Sequence, residues 1–302
     1  MHIPDGFLSN RVAVAFDAIS GVGILLSARR VKLEASARAV PMMGVLAAFV
    51  FAAQMLNFPV LGGTSGHLVG GALLAIILGP VPAVLTMATV IIAQALFLQD
   101  GGLIALGANI FNIGGVTAFS GYAVFRLLWR NDGGGRRLTV AAFAAGWISM
   151  VLSAAGCAVE LAVSGAIPLR LGLPAMVGYH ALIGIAEGGL TASVLAFLAR
   201  VRPDLIETPR RVKLGAGEWA GAFIFVAIPL LILALAGSSS LPDPLQKLIE
   251  PGSAPSAKAG DAQALFSTLR LWEYSWEFAA LVAVIFLVFL AGRIVHGGKA
   301  HR

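Results

Sequence analysis

The sequence predicts an all-α integral membrane protein, and three observations carry that prediction. Hydrophobic residues make up 58% of the 302-residue chain and charged residues only 12%, against roughly 25% charged in soluble domains. Mean hydropathy is +0.89. The apolar residues also fall into runs close to the roughly 17–25 residues that cross a bilayer as a helix. These lie at 10–28, 39–56, 67–79, 81–98, 103–129, 138–163, 176–199, 218–237 and 275–295.

Ahead of the first run stands Met1-His2-Ile3-Pro4-Asp5-Gly6-Phe7. A histidine at position 2 is too bulky for methionine trimming, so the expectation is a chain that keeps Met1. It then offers a free α-amine, one peptide nitrogen and an imidazole, three nitrogens that can wrap one metal ion. Such a chelate suits Ni²⁺ and Cu²⁺ with their square-planar preference more than tetrahedral Zn²⁺, and its fourth ligand must come from elsewhere. Pro4 fixes its own φ and biases Ile3 toward extended backbone. Asp5-Gly6 is a turn signal, so Met1 to Phe7 are expected to fold inward as a short plug. The alternative for Asp5 is a cap on the helix that follows. A signal peptide is disfavoured for the first run, because no Lys or Arg precedes Arg11 and the basic pair Arg29-Arg30 comes after the apolar stretch.

The remaining runs follow in order. Arg29, Arg30, Lys32 and Arg38 separate the first from the second, and a loop from Asn57 to His67 separates the second from the third. The third, 67–79, is short for a span and should be tilted or packed inside the bundle. Gly63, Gly66, Gly70 and Gly71 around its start allow close helix packing. The fifth ends in RNDGGGRR at 130–137, a flexible turn that lacks the lysine-threonine ending of a phosphate loop. The sixth contains the lone Cys157, which reads as a small packing hydrophobe. After the seventh, residues 200–216 are polar and basic with Pro203 and Pro209, and read as a cytoplasmic linker. This divides the chain into 1–199, a seven-helix module, and 217–302, two further spans joined by a Ser-, Pro- and Gly-rich extracytoplasmic loop.

Lys and Arg set the orientation, since short cytoplasmic loops carry their excess. With nine spans threaded, the clusters at 29–38, 126–137, 200–213 and 293–302 all fall on one side. The amino terminus is therefore expected outside and the carboxyl terminus in the cytoplasm. The formal charge of +6 is accounted for by this bias and argues for lipid as the partner, not nucleic acid.

Against that frame the chemistry-bearing residues sort by place. His67 closes the second extracytoplasmic loop, on the same side as Met1; it either caps the third helix and bonds a carbonyl, or supplies the fourth nitrogen to the Met1-His2 chelate. Ionisable groups within spans are functional candidates, and Asp17, Glu160 and Glu187 qualify. Glu187 lies seven residues after His180 on the same helical face, so the two can pair in the bundle interior, as support for a metal or as packing glue. Gln54, Gln94, Gln99, Asn109 and Asn112 would suit a polar network beneath the site. Neither a metalloprotease spacing nor a nucleophile elbow nor an ATP-binding loop occurs in the sequence, which excludes the familiar embedded enzymes and leaves a capture subunit that takes energy from partners.

Four stretches carry a resemblance to a known family. These are Met1-His2-Ile3-Pro4-Asp5-Gly6-Phe7-Leu8, Asn57-Phe58-Pro59 through Gly62-Gly63-Thr64-Ser65-Gly66-His67, Gln99-Asp100-Gly101-Gly102 leading to Gly107-Ala108-Asn109-Ile110-Phe111-Asn112, and His180-Ala181-Leu182-Ile183-Gly184 with Glu187-Gly188. Over about residues 1–212 the chain resembles the CbiM/NikM family, the cobalt/nickel substrate-binding components of energy-coupling-factor transporters. The resemblance implies a seven-helix module that binds one Ni²⁺ or Co²⁺ through the amine of Met1, the backbone nitrogen and imidazole of His2, and His67. It implies no cofactor, with the ion as cargo. A transmembrane coupling protein and two cytoplasmic ATPases are the implied partners. The two-span tail resembles the small accessory subunit of these systems; Ser239-Ser240-Leu241-Pro242-Asp243-Pro244-Leu245-Gln246 is similar to a Pro-Asp-Gly-Leu-Glu motif, from which Pro244 and Gln246 depart. The rival readings are a membrane enzyme or maturation factor using His180 and Glu187, and a ligand-free membrane scaffold.

Overall fold

The computed structural model describes residues 1–34, 39–60, 64–129, 135–202, 205–206 and 245. The expected spans at 218–237 and 275–295, the loop between them and most of the linker lie outside the described residues.

Helix α1 runs Asn10–Glu34, α2 Ala39–Gln54, α3 Gly71–Leu78 and α4 Pro80–Ala93, the last continuing through a π-helical turn Gln94–Leu98. A further continuous helical path comprises α5 Leu106–Asn109, a π-helical stretch Ile110–Val116 and α6 Thr117–Leu128. Helices α7 (Gly135–Val163) and α8 (Leu169–Val201) complete the bundle. These occupy all seven apolar runs expected before the linker. Four stretches, Asn10–Lys32, Pro80–Leu98, Gly135–Val163 and Leu169–Val201, are long and apolar enough to cross a membrane. Large apolar side chains such as Val14, Leu25, Phe97 and Leu127 are exposed on the bundle's outside, where an integral membrane protein meets lipid.

Small residues set the close approaches between helices. A Cβ on Gly146 of α7 would lie 2.9 Å from the Cα of Gly188 on α8, and one on Gly121 of α6 would lie 2.5 Å from the Cβ of Ala72 on α3. Gly107 is pressed against the backbone of Asp17 on α1. There Asp17 Oδ1 accepts from the Gly107 N–H at 2.8 Å and Ser20 Oγ donates to the Gly107 carbonyl at 2.6 Å. Asp17, one of the ionisable groups in the spans, thus locks α1 to the start of α5.

The third run departs from expectation. Only Gly71–Leu78 is helical, about 12 Å at 1.5 Å per residue, and Gly71 to Ile77 are all buried, so it packs inside the bundle. What precedes it is a hairpin of two three-residue strands, β1 (Phe58–Val60) and β2 (Thr64–Gly66), paired antiparallel with Phe58 opposite Gly66. His67, Leu68, Val69 and Gly70 then run non-helically through the interior. Gly70 makes the turn into α3 at φ 81°, with Val50 Cγ2 only 2.8 Å from where a Cβ would sit; both facts require glycine.

Candidate metal site

Buried backbone outside regular structure must find partners for its N–H and C=O groups, and the stretch from His67 to Gly70 finds side-chain partners on two helices, α8 and α2. Glu187 of α8 accepts from Val69 N–H through Oε2 and from Gly70 N–H through Oε1, both at 2.8 Å. Gln54 at the end of α2 donates to the Val69 carbonyl at 2.7 Å and accepts from Gln94 Nε2 at 2.8 Å. Gln94 opens the π-turn of α4, a type of distortion frequent at functional sites. The effect is to hold His67 in a fixed place. Its Nδ1–H donates to the Leu68 carbonyl at 2.9 Å, which fixes the tautomer and leaves the lone pair on Nε2.

The amino-terminal segment enters from the opposite direction. Pro4, Asp5 and Gly6 are exposed, whereas Met1, His2 and Ile3 are buried, so the chain runs inward toward Met1. Asn109 clamps it: the Ile3 N–H donates to Asn109 Oδ1 at 2.7 Å and Asn109 Nδ2 donates to the Ile3 carbonyl at 3.0 Å. That carbonyl also accepts from the Gly102 N–H at 2.9 Å. Asp5 accepts from the N–H groups of Leu103, Ile104 and Ala105 at 3.1, 2.8 and 3.2 Å. Asp5 therefore does not cap α1 as the alternative reading expected; its carboxylate closes the turn ahead of α5 and helps seat the plug.

At the inner end of the plug the amine of Met1 lies 3.3 Å from His67 Nε2. The imidazole of His2 stacks on that of His67, with centroids 5.3 Å apart and planes at 16°. The Nε2 of His2 has no hydrogen-bond partner among the described residues. Its Nδ1 sits 3.2 Å from Asp100 Oδ1, near enough for an ion pair. Burial, reinforced by the positive charges of the amine and His2, pushes His67 down to about 3, so its ring is neutral. Burial opposes ionisation of Asp100, but contact with His2 and the charges of His2 and the amine prevail and hold its carboxyl well below the usual carboxylate range. Among the described residues no three His, Cys, Asp or Glu side chains cluster as metal ligands. The candidate donors are instead two imidazoles and main-chain nitrogen, gathered in a buried place where an orphaned ring nitrogen is costly unless something binds it.

The supporting residues read from sequence divide into three groups. Gln54, Gln94 and Glu187 form one connected network behind His67, and Asn109 and Asp5 seat the plug. Asn112 belongs to neither: its Nδ2 donates to Glu160 Oε2 at 2.7 Å and its carbonyl accepts from Ser153 Oγ at 2.8 Å, joining the π-stretch to α7. The expected pairing of His180 with Glu187 is replaced by separate duties, because both Glu187 oxygens face the backbone and His180 Nδ1–H donates to the Met176 carbonyl at 2.8 Å. His180 lines a small cavity together with Met1, Gly66, His67, Val69, Met150 and Ile183. Asp100 enters the sequence reading only within the run Gln99-Asp100-Gly101-Gly102. Its signal is the helix ending beside it, where Gln99 takes φ 57° and Gly101 φ 92°, a turn that swings Asp100 back over His2.

Comparison with known proteins identifies the family. Residues 2–205 match the model of the CbiM family, described as the cobalt uptake substrate-specific transmembrane region. A protein of Haloquadratum walsbyi assigned to metal transport is 46% identical over 210 residues, covering 69% of this chain and 94% of its own. The fused nickel transport protein NikMN of Rhodobacter capsulatus is 33% identical over 258 residues, 79% of this chain and 74% of its own. The crystal structure of a transition metal transporter superimposes with a TM-score of 0.61 at 31% identity, covering 67% of this chain and 93% of the other. A match over two thirds of the sequence, together with a shared fold, places this multi-pass membrane protein in the CbiM/NikM family of cobalt and nickel transport proteins.

Proposed function

We propose that this chain captures Ni²⁺ or Co²⁺ and passes it inward as the substrate-binding subunit of an ATP-driven energy-coupling-factor importer. The observation that carries the reading is the meeting of the Met1 amine with His67 Nε2 beside the stacked ring of His2, whose Nε2 has no partner among the described residues and whose Nδ1 faces Asp100. The ligands are the Met1 amine, the backbone nitrogen and imidazole of His2, and His67 Nε2, a nitrogen field that suits low-spin nickel. The ion is cargo; it displaces the protons of the amine and of the His2 peptide nitrogen, so capture weakens as acid rises. Asp100, exposed on one side and touching His2 on the other, gives an arriving hydrated cation a first anionic contact.

The chain works as a transporter subunit and not as an enzyme, a reading supported by the transport names of its relatives. Its amino terminus faces outward and its carboxyl terminus the cytoplasm. A transmembrane coupling protein and two cytoplasmic ATPases supply the energy, and residues 217–302 act as a fused accessory module. The test is uptake of radioactive nickel and cobalt by cells carrying His67→Ala, or one residue added ahead of Met1. Uptake collapses in both; wild-type uptake by both variants overturns the reading.

A further inference from the structure

The nitrogen plane accounts for the amine of Met1 but not for what lies beneath it. Met1 is the innermost residue of the plug, and it lines the cavity shared with His67, Met150 and His180. The cavity has room for about one water-sized particle. Two histidines, His67 and His180, and two methionines, Met1 and Met150, line it, with Val69 and Ile183 as apolar walls. Met150 lies midway along α7, and His180 and Met150 are 2% and 1% exposed. Nδ1–H of His180 donates to the Met176 carbonyl, so the ring is held by its own helix with its lone pair on Nε2.

We infer that this cavity is a second, inner station for the transported ion, formed by His180, Met150 and Met1, with His67 on the border it shares with the outer site. The inference rests on the metal-capture reading and extends it inward. Imidazole suits nickel and cobalt, and thioether sulfur is a soft ligand that binds them weakly and prefers monovalent copper or silver. A weaker site behind a strong one is what release requires. Met1 and His67 border both places, so the ion passes from one to the other by exchanging ligands rather than by returning to water. The cavity's apolar walls exclude the water that would otherwise compete.

Two measurements on the full chain test this. Nickel-loaded protein in detergent is titrated with Ag⁺, and nickel uptake is followed in cells that carry the chain with its native partners. His180→Gln and Met150→Leu keep side-chain volume, which limits harm to the fold. The expected result is one Ag⁺ bound beside the retained nickel in the wild-type chain, loss of that Ag⁺ in each variant, and nickel uptake slowed at least tenfold by His180→Gln. Ag⁺ binding and uptake at wild-type levels in both variants overturn the inner station while leaving the outer site standing. A wild-type chain that binds no nickel overturns the capture reading, and the inner station with it.

Discussion

Substituting Gly102 by Ala isolates the seating of the amino-terminal plug from the rest of the fold. A Cβ at 102 falls well inside van der Waals contact with the backbone nitrogen and Oδ1 of Asp5, and backbone cannot rotate away as a side chain can. The strain must therefore push the segment carrying Met1 and His2 outward, loosening the bond from Gly102 N–H to the Ile3 carbonyl. Overpacking of this kind costs about 1–3 kcal/mol, and if the cost falls on the plug it weakens nickel binding by about 5- to 150-fold. Nickel affinity of the purified protein, measured by competition against a chelating dye, is the assay. Gly178→Ala on α8 is the control, because nothing lies within 4 Å of its added carbon. Unchanged affinity for Gly102→Ala, in a chain of normal helical content and melting temperature, would refute the claim that this contact seats the ligands.

Three further expectations follow from named contacts. Glu187→Ala strands the buried N–H groups of Val69 and Gly70, at roughly 1–3 kcal/mol each; the melting temperature in detergent should drop, with Glu187→Gln recovering part of it, and wild-type melting would contradict the role. Asp5→Ala removes an acceptor shared by three backbone N–H groups, an effect on the scale of losing a helix cap, about 0.5–2 kcal/mol, and should weaken nickel binding more than it lowers the melting temperature. In acid, the sign follows from His67: its folded-state value of about 3 lies below the ordinary 6.5, so between those values the unfolded chain holds a proton that the folded chain lacks. Stability of the metal-free protein should fall as pH drops from 6.5 toward 3, with a flatter profile for His67→Gln; a profile that rises in acid would contradict the buried neutral ring.

Much of the bundle was legible because long apolar runs leave few alternatives. Helix α7 begins three residues before the run read at 138–163, α8 begins seven before that at 176–199, and each ends within two residues of its run; Pro80 marks the start of α4 as prolines do at a first helical position. The third run was misjudged in form because hydropathy cannot tell a buried helix from buried extended chain. Gly70 and the pairing of β1 with β2 decide it, and neither leaves an apolar signature. At the site, Met1, His2 and His67 could be grouped by counting sides of the membrane, a property that charge writes into the sequence. Their supports could not be paired in this way. Asn109 meets Ile3 across 106 residues, Asp5 meets Ile104 across 99 and Glu187 meets Val69 across 118; each polar residue was visible, but only the fold supplies its partner. Met150 gave no signal, since a methionine in an apolar run is indistinguishable from core.

The central claim is that the chain's own amino-terminal nitrogen binds the cargo. Metal content and near-visible absorption of the purified protein, with its native start and with one residue added before Met1, measure this directly. The native chain is predicted to hold one nickel or cobalt ion with a spectrum of nitrogen ligation, and the extended chain to hold none. Equal metal content with the same spectrum in both would contradict the account.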